Sequence, residues 1–253
     1  MARKEKLEKT KKKTKKKLFY RIVKKIIIGF YGKVVFNKLE LVPQEPCVIV
    51  GNHAKIHGPL MGEGRFPLEK RIWCDAPMFD KKEFPKYAHA NFLGGSPGRF
   101  MRFLVRLINP LITYLVRNAD TLPVYRDMHV MQTYRESVTA LEGGQNLLIF
   151  PECPTVKNDI VNVFNEYFVD VARFYYKKTN KELQFVPSYY AVGLRTVEFG
   201  KPIKFDATAP IEQERKRICA YLEDALTDIA KSMPSHIVIP FHSVPKDQLK
   251  KNK

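Results

Sequence analysis

Short runs of consecutive apolar residues, each closed by a polar residue or a turn, recur along this chain and restrict it to one class of fold. Cys47-Val-Ile-Val-Gly51 and Asn146-Leu-Leu-Ile-Phe150 are the clearest. A strand with one face in water alternates apolar and polar side chains, whereas a strand apolar at every position has both faces covered. Further short strands are expected at 72–74, 122–125, 184–190, 196–199 and 203–205, with a possible edge strand at 236–241. Between them lie helical signals. Asp127 can cap a helix running to Leu141, with Val130, Met131, Tyr134, Val138 and Leu141 on one face and Gly143-Gly144 as its stop. Another helix is expected over about 164–178, and Pro210 can open a last one to about Lys231. Strands alternating with helices predict an α/β protein with a mostly parallel central sheet flanked by helices, in one domain over 37–245.

Charge divides the chain differently. The net charge is +18 over 253 residues, and 13 Lys or Arg against two acids fall within the first 25 positions. Residues 1–17 offer no apolar face and read as a disordered basic tail, with a shorter basic tail at 246–253. Such tails are attracted to polyanions, either an anionic membrane surface or nucleic acid. The folded part carries no helix-turn-helix or RNA-binding signature, so nucleic acid is not the expected partner. Residues 18–36 place Phe19, Ile22, Val23, Ile26, Ile27, Phe30, Val34 and Val35 at near-helical spacing among Arg21, Lys24, Lys25 and Lys33. This reads as a basic amphipathic helix lying on a membrane or packing on a core. Residues 100–116, apolar but flanked and interrupted by arginines, are a second candidate for lipid contact, with a kink expected at Pro110. No run has the roughly 20 apolar residues of a membrane-spanning helix, nor the pattern of a secretory signal. The expected location is peripheral, at the cytoplasmic face of the cell membrane. Four scattered cysteines form no C-x-x-C pair, which argues against a zinc ribbon or thioredoxin-type site and fits reduced thiols.

In open α/β sheets, sites collect at the carboxyl ends of strands. Three polar groups follow apolar runs directly: Asn52-His53, Arg126 and Glu152. Taken in order, Asn52-His53, Leu122-Pro-Val-Tyr-Arg126, Ile149-Phe-Pro-Glu152, Val186-Pro187 and Phe199-Gly-Lys-Pro202 resemble the motif blocks of the phospholipid/glycerol acyltransferases, which include the lysophosphatidate acyltransferases. The resemblance covers about residues 40–205. It implies an acyl transfer from an acyl-CoA or acyl-carrier-protein thioester to a glycerol-phosphate or lysophospholipid hydroxyl, with no resident cofactor or metal. It also implies that His53 is the general base and that Asn52, Arg126 and Glu152 serve the acceptor, as suits an Arg fork facing phosphate.

Two positions depart from that pattern. Gly58 stands where an aspartate would orient the histidine, and Cys153-Pro-Thr155 replaces Gly-Thr-Arg. Lys157 is the substitute cation the sequence offers. For orienting His53 it offers His57, Glu63, Glu152, Asp159 or a backbone carbonyl. Cys153 also admits an acyl-cysteine intermediate activated by His53. A catalytically inactive lipid-binding protein on the same fold is the alternative.

Overall fold

The structure, a computed structural model, describes residues 18–93, 98–241, 247 and 249–253. The expected tail at 1–17, together with His242 and Lys246, lies outside the described residues.

Helix α1 (Leu18–Tyr31) leads into β1 (Val35–Asn37); β2 (Val48–Gly51) and α2 (His57–Arg65) follow, then β3 (Lys70–Asp75). Two helices, α3 (Phe84–Phe92) and α4 (Arg99–Asn118), cross from β3 to β4 (Thr121–Val124). The chain continues through α5 (Val130–Glu142), β5 (Asn146–Ile149), the hairpin β6 (Glu152–Val156) and β7 (Asn162–Phe164), α6 (Asp170–Thr179), β8 (Gln184–Ala191), β9 (Thr196–Phe199), β10 (Ile203–Lys204) and α7 (Ile211–Ser232). The main sheet runs β1-β9-β8-β2-β5-β3-β4, with β10 also on β8. Pairings from β8 through β4 are parallel, whereas β9 and β10 lie antiparallel to β8.

The apolar runs explain this arrangement residue by residue. Val48, Val50, Leu147, Ile149, Phe185 and Tyr189 point into the core formed with α5, α6 and α7. Their neighbours Cys47, Ile49, Leu148, Val186 and Tyr190 point the other way, into a second core with Met61 of α2. Both faces of each central strand are therefore filled, as continuous apolar runs require.

Several boundaries differ from the sequence reading. The first helix ends at Tyr31 rather than at 36, because Gly32 takes φ +63° and turns the chain into β1. Asp127 does not cap α5: its carboxylate accepts the His129 N–H in a turn, and the helix starts at Val130. Gly144, at φ +83°, closes that helix as expected. Pro110 lies inside one 20-residue helix. The edge strand at 236–241 is reduced to a single bridge between Ile237 and Lys251. The chain end expected as a tail from 246 folds back instead, burying Asn252. The β6–β7 hairpin had no signal in the sequence, since Glu152, Cys153 and Pro154 lack strand alternation.

Helix α1 is docked by charge. Glu63 accepts from the Tyr20 hydroxyl and from Lys24 Nζ at 2.7 Å, and lies 3.5 Å from Lys70 Nζ, whose side chain is only 6% exposed. Burial by itself would push the Glu63 carboxyl up, but Lys70 and Lys24 hold it below the usual carboxylate range. Removing this carboxylate takes the nearer partner from the buried Lys70 ammonium and leaves Asp120 at 3.9 Å, so Glu63→Ala is expected to cost about 3 kcal/mol. Urea unfolding measures the loss, and faster tryptic cleavage at Lys24 and Lys25 reports the release of α1.

Candidate active site

The parallel registers bring four chain segments to one edge of the sheet. Val50 pairs with Ile149, Ile72 with Leu148 and Asp75 with Val124. Carried two or three residues further, these registers set Asn52, Pro151, Asp75 and Val124 on one transverse row. Three strand spacings span about 14 Å. His53, Glu152 and Arg126 stand one or two residues beyond that row.

His53 follows β2 in a turn that bends sharply. Ala54 and Lys55 both have left-handed backbones, at φ 45° and 57°, a conformation unfavourable for residues with a Cβ. The bend returns the Lys55 carbonyl to Nδ1 of the His53 ring, in a short contact. A carbonyl only accepts, so Nδ1 carries the proton and Nε2 keeps its lone pair. The imidazole is flanked edge-on by Phe150 and Phe241, with ring centroids at 5.8 and 5.3 Å. Burial pushes its pKa down to about 4, with the Asp75 charge pulling it partly back. The ring is thus neutral near pH 7 and aligned by the backbone.

Glu152 holds the turn from beneath. Its Oε2 accepts the His53 main-chain N–H at 2.6 Å and its Oε1 the Asn162 N–H at 3.0 Å. Burial pushes this carboxyl up to about 7, against the pull of the two N–H donors. Both oxygens are spent on the main chain, so the expected role of Glu152 in holding the acceptor gives way to one of positioning. Asn52 is likewise committed: its amide accepts from the Tyr190 N–H at 2.7 Å and donates to the Tyr190 carbonyl at 3.4 Å, tying β2 to β8.

Arg126 stands at the end of β4 with its guanidinium 72% exposed, paired with Asp75 Oδ1 at 3.1 Å. The second Asp75 oxygen accepts from Tyr87 at 2.7 Å. Asp75 is a site residue that the motif reading missed, although it closes the apolar run 72–74 just as Glu152 closes the run before it. Two other expectations are corrected. His57 opens helix α2, so it does not share a helix face with His53; its Nδ1 faces the Tyr31 hydroxyl at 2.8 Å. Lys157 is turned to α7, between Glu223 at 2.7 Å and Asp224 at 2.9 Å, and does not replace the missing arginine. Cys153 has its thiol pushed up by burial, and no histidine bonds to it among the described residues, which removes the basis for an activated nucleophile. A hollow of about 400 Å³ lined by Arg173, Lys177, Phe205 and Ile211 belongs to the opposite edge of the sheet, where β8 begins.

Gly58 explains why no aspartate stands at that position. A Cβ there would lie 2.7 Å from the Asn52 carbonyl oxygen, 2.8 Å from that of His53 and 2.9 Å from the Phe150 ring. The tight turn that supplies the Lys55 carbonyl leaves no room for a side chain at 58. Restoring the motif carboxylate with Gly58→Asp is therefore expected to destabilise the fold by about 1–3 kcal/mol. It should also lower any turnover that depends on His53. A Gly58→Asp chain with an unchanged urea midpoint would show that the turn has space.

No family model matches this sequence, and no curated protein matches it. The fold does have a solved counterpart. The crystal structure of the 1-acyl-sn-glycerophosphate (LPA) acyltransferase PlsC from Thermotoga maritima is similar to this chain with a TM-score of 0.50 at 15% sequence identity. The similarity covers 85% of this chain and 83% of that one. At that identity the likeness is one of fold: a mostly parallel α/β sheet covered by helices.

Proposed function

We propose that this chain is an acyltransferase that moves a fatty acyl group from an acyl-CoA or acyl-carrier-protein thioester to the hydroxyl of a glycerol-phosphate-like or lysophospholipid acceptor. The observation that carries this reading is the Lys55 carbonyl set against Nδ1 of the His53 ring, which assigns the proton to Nδ1. A neutral imidazole with Nε2 free, at the carboxyl edge of the sheet, is what deprotonation of an alcohol requires. As the acceptor oxygen attacks the thioester carbonyl, Nε2 takes its proton. The tetrahedral intermediate then expels the thiolate, which recovers that proton from Nε2. The imidazolium formed between these steps is stabilised by the Lys55 carbonyl and by the Asp75 charge. Arg126 is the exposed cation on this edge, and its planar fork suits an acceptor phosphate competing with Asp75.

The acceptor class fits the surface beside the site. Helix α1 exposes Phe19, Ile22, Ile26 and Phe30 in one stripe, and α4 exposes Phe100, Phe103, Leu107 and Leu111. The Phe19 and Tyr114 rings, 5.6 Å apart, join the two helices. Arg21, Lys25, Arg102 and Arg106 are exposed along them. An apolar face this large, rimmed by cations, suits an anionic membrane surface. No described helix is long and apolar enough to cross a membrane.

A second reading, a lipid-binding protein without turnover, is favoured by the commitment of Lys157 to α7, which leaves Arg126 without the second cation of the motif. Thiol release distinguishes the two. With acyl-CoA and lysophosphatidate, His53→Ala is expected to lower thiol release by about 10²- to 10⁴-fold, the usual contribution of a general base. Because the neutral imidazole is the active form, kcat/KM should fall as pH drops through about 4. A wild-type rate no higher than that of His53→Ala refutes catalysis and leaves the lipid-binding reading. Separately, Phe30→Asp combined with Phe103→Asp should reduce sedimentation with phosphatidylglycerol vesicles while leaving the circular dichroism spectrum unchanged.

A further inference from the structure

The segment after α7 returns to the reactive edge. Its base is pinned by pairing with the chain end: the His236 N–H donates to Asn252 Oδ1 at 2.8 Å, the Asn252 N–H to the His236 carbonyl at 3.1 Å, and the Val238 N–H to the Lys250 carbonyl at 2.9 Å. Asn252 Nδ2 adds a bond to the Ala230 carbonyl at 2.6 Å, at the end of α7. The His236 ring is fixed by the Pro234 carbonyl at 2.8 Å and the Tyr189 hydroxyl at 3.1 Å, and Val238 is buried in the main core. These contacts make residues 236–238 and 250–252 a rigid strap. Three residues beyond Val238 comes Phe241, whose ring meets the His53 ring at 5.3 Å and 86°. Phe150 meets the same imidazole at 5.8 Å.

We propose that this strap is a water-excluding cap over His53, with Phe241 as its contact and positioning residue. The inference rests on the acyl-transfer reading for its purpose. A thioester beside an activated base reacts with water as readily as with an alcohol unless water is kept away. In hydrolysis a water oxygen forms the new C–O bond, the C–S bond breaks, and free fatty acid leaves with the thiol. In transfer the acceptor oxygen forms that bond instead. A phenyl ring edge-on to the imidazole removes the place where such a water would sit. Among the described residues, the charged groups facing His53 are Glu152 beneath its main-chain N–H and Asp75 across the edge, with Arg126 beyond it, and none of these belongs to the strap. Removing Phe241 therefore changes solvation at His53 without changing its charged neighbours.

The test uses the full chain with Phe241→Ala and the conservative Phe241→Leu. Carbethoxylation of His53 by diethyl pyrocarbonate, followed by peptide mass analysis across pH, reports both its exposure and its titration without requiring turnover. In Phe241→Ala, His53 is expected to react several-fold faster, and its midpoint to move from about 4 toward the ordinary 6.5. Phe241→Leu should stay near the wild type. With acyl-CoA and lysophosphatidate, the ratio of free fatty acid to transferred acyl should rise several-fold in Phe241→Ala. Unchanged modification rate and midpoint in a folded Phe241→Ala protein would overturn the cap, as would an unchanged product ratio in an active one. If modification responds while no variant releases thiol above a His53→Ala control, the cap stands and the acyl-transfer reading falls.

Discussion

Glu152 takes one main-chain N–H from His53 at the end of β2 and another from Asn162 in β7, with no cation beside it. The arrangement of the reactive edge follows from this contact. It fixes the backbone of His53 against β5, so the left-handed turn at Ala54 and Lys55 bends from a held point and the Lys55 carbonyl arrives at the imidazole. It also starts the hairpin that carries Cys153 away from the edge and Lys157 toward α7. A buried carboxylate that accepts only main-chain donors is insensitive to its neighbours' side chains, which suits a group whose work is to hold geometry.

The absent motif aspartate is then a matter of space. Orienting an imidazole needs an acceptor at Nδ1, and either a carboxylate or a carbonyl provides one. A carboxylate also balances the charge that develops on the ring, which a carbonyl does only in part. In the proposed acyl transfer the two duties are divided. Lys55 sets the tautomer, and Asp75 supplies negative charge from the end of β3 while holding Arg126. The left-handed conformations at residues 54 and 55 are unfavourable, and they adjoin the His53 imidazole, a placement of backbone strain that motivates the functional reading.

Helices α1 and α4 follow a separate logic. On α1, Tyr20 and Lys24 face Glu63, Tyr31 faces His57, and Val23, Ile27 and Ile28 are half-buried, with Ile28 beside Gly64. The stripe of Phe19, Ile22, Ile26 and Phe30 faces out, so the helix packs on the domain with one side and leaves an apolar side exposed, the feature behind the proposed membrane contact.

The sequence by itself determined the sheet. Predominantly apolar runs at 47–51, 146–150 and 184–190 call for burial on both faces, and the alternation of Cys47 and Ile49 against Val48 and Val50 sends neighbours into two cores. It also placed His53, Arg126 and Glu152 at strand ends, because a polar group directly after such a run has to emerge at an edge. What the side chains then do at that edge was decided by tertiary structure. Whether Lys157 faces a headgroup or α7 depends on the hairpin, whose strands lack a period. Whether His57 partners His53 depends on where α2 begins, which the left-handed turn sets. The partner of Nδ1 is a main-chain carbonyl, a group every residue carries, so no choice of side chain announces it. Phe241 meets His53 three residues beyond Val238, on a segment whose base at His236 is held by Asn252 sixteen residues away, a long-range contact that no local pattern announces.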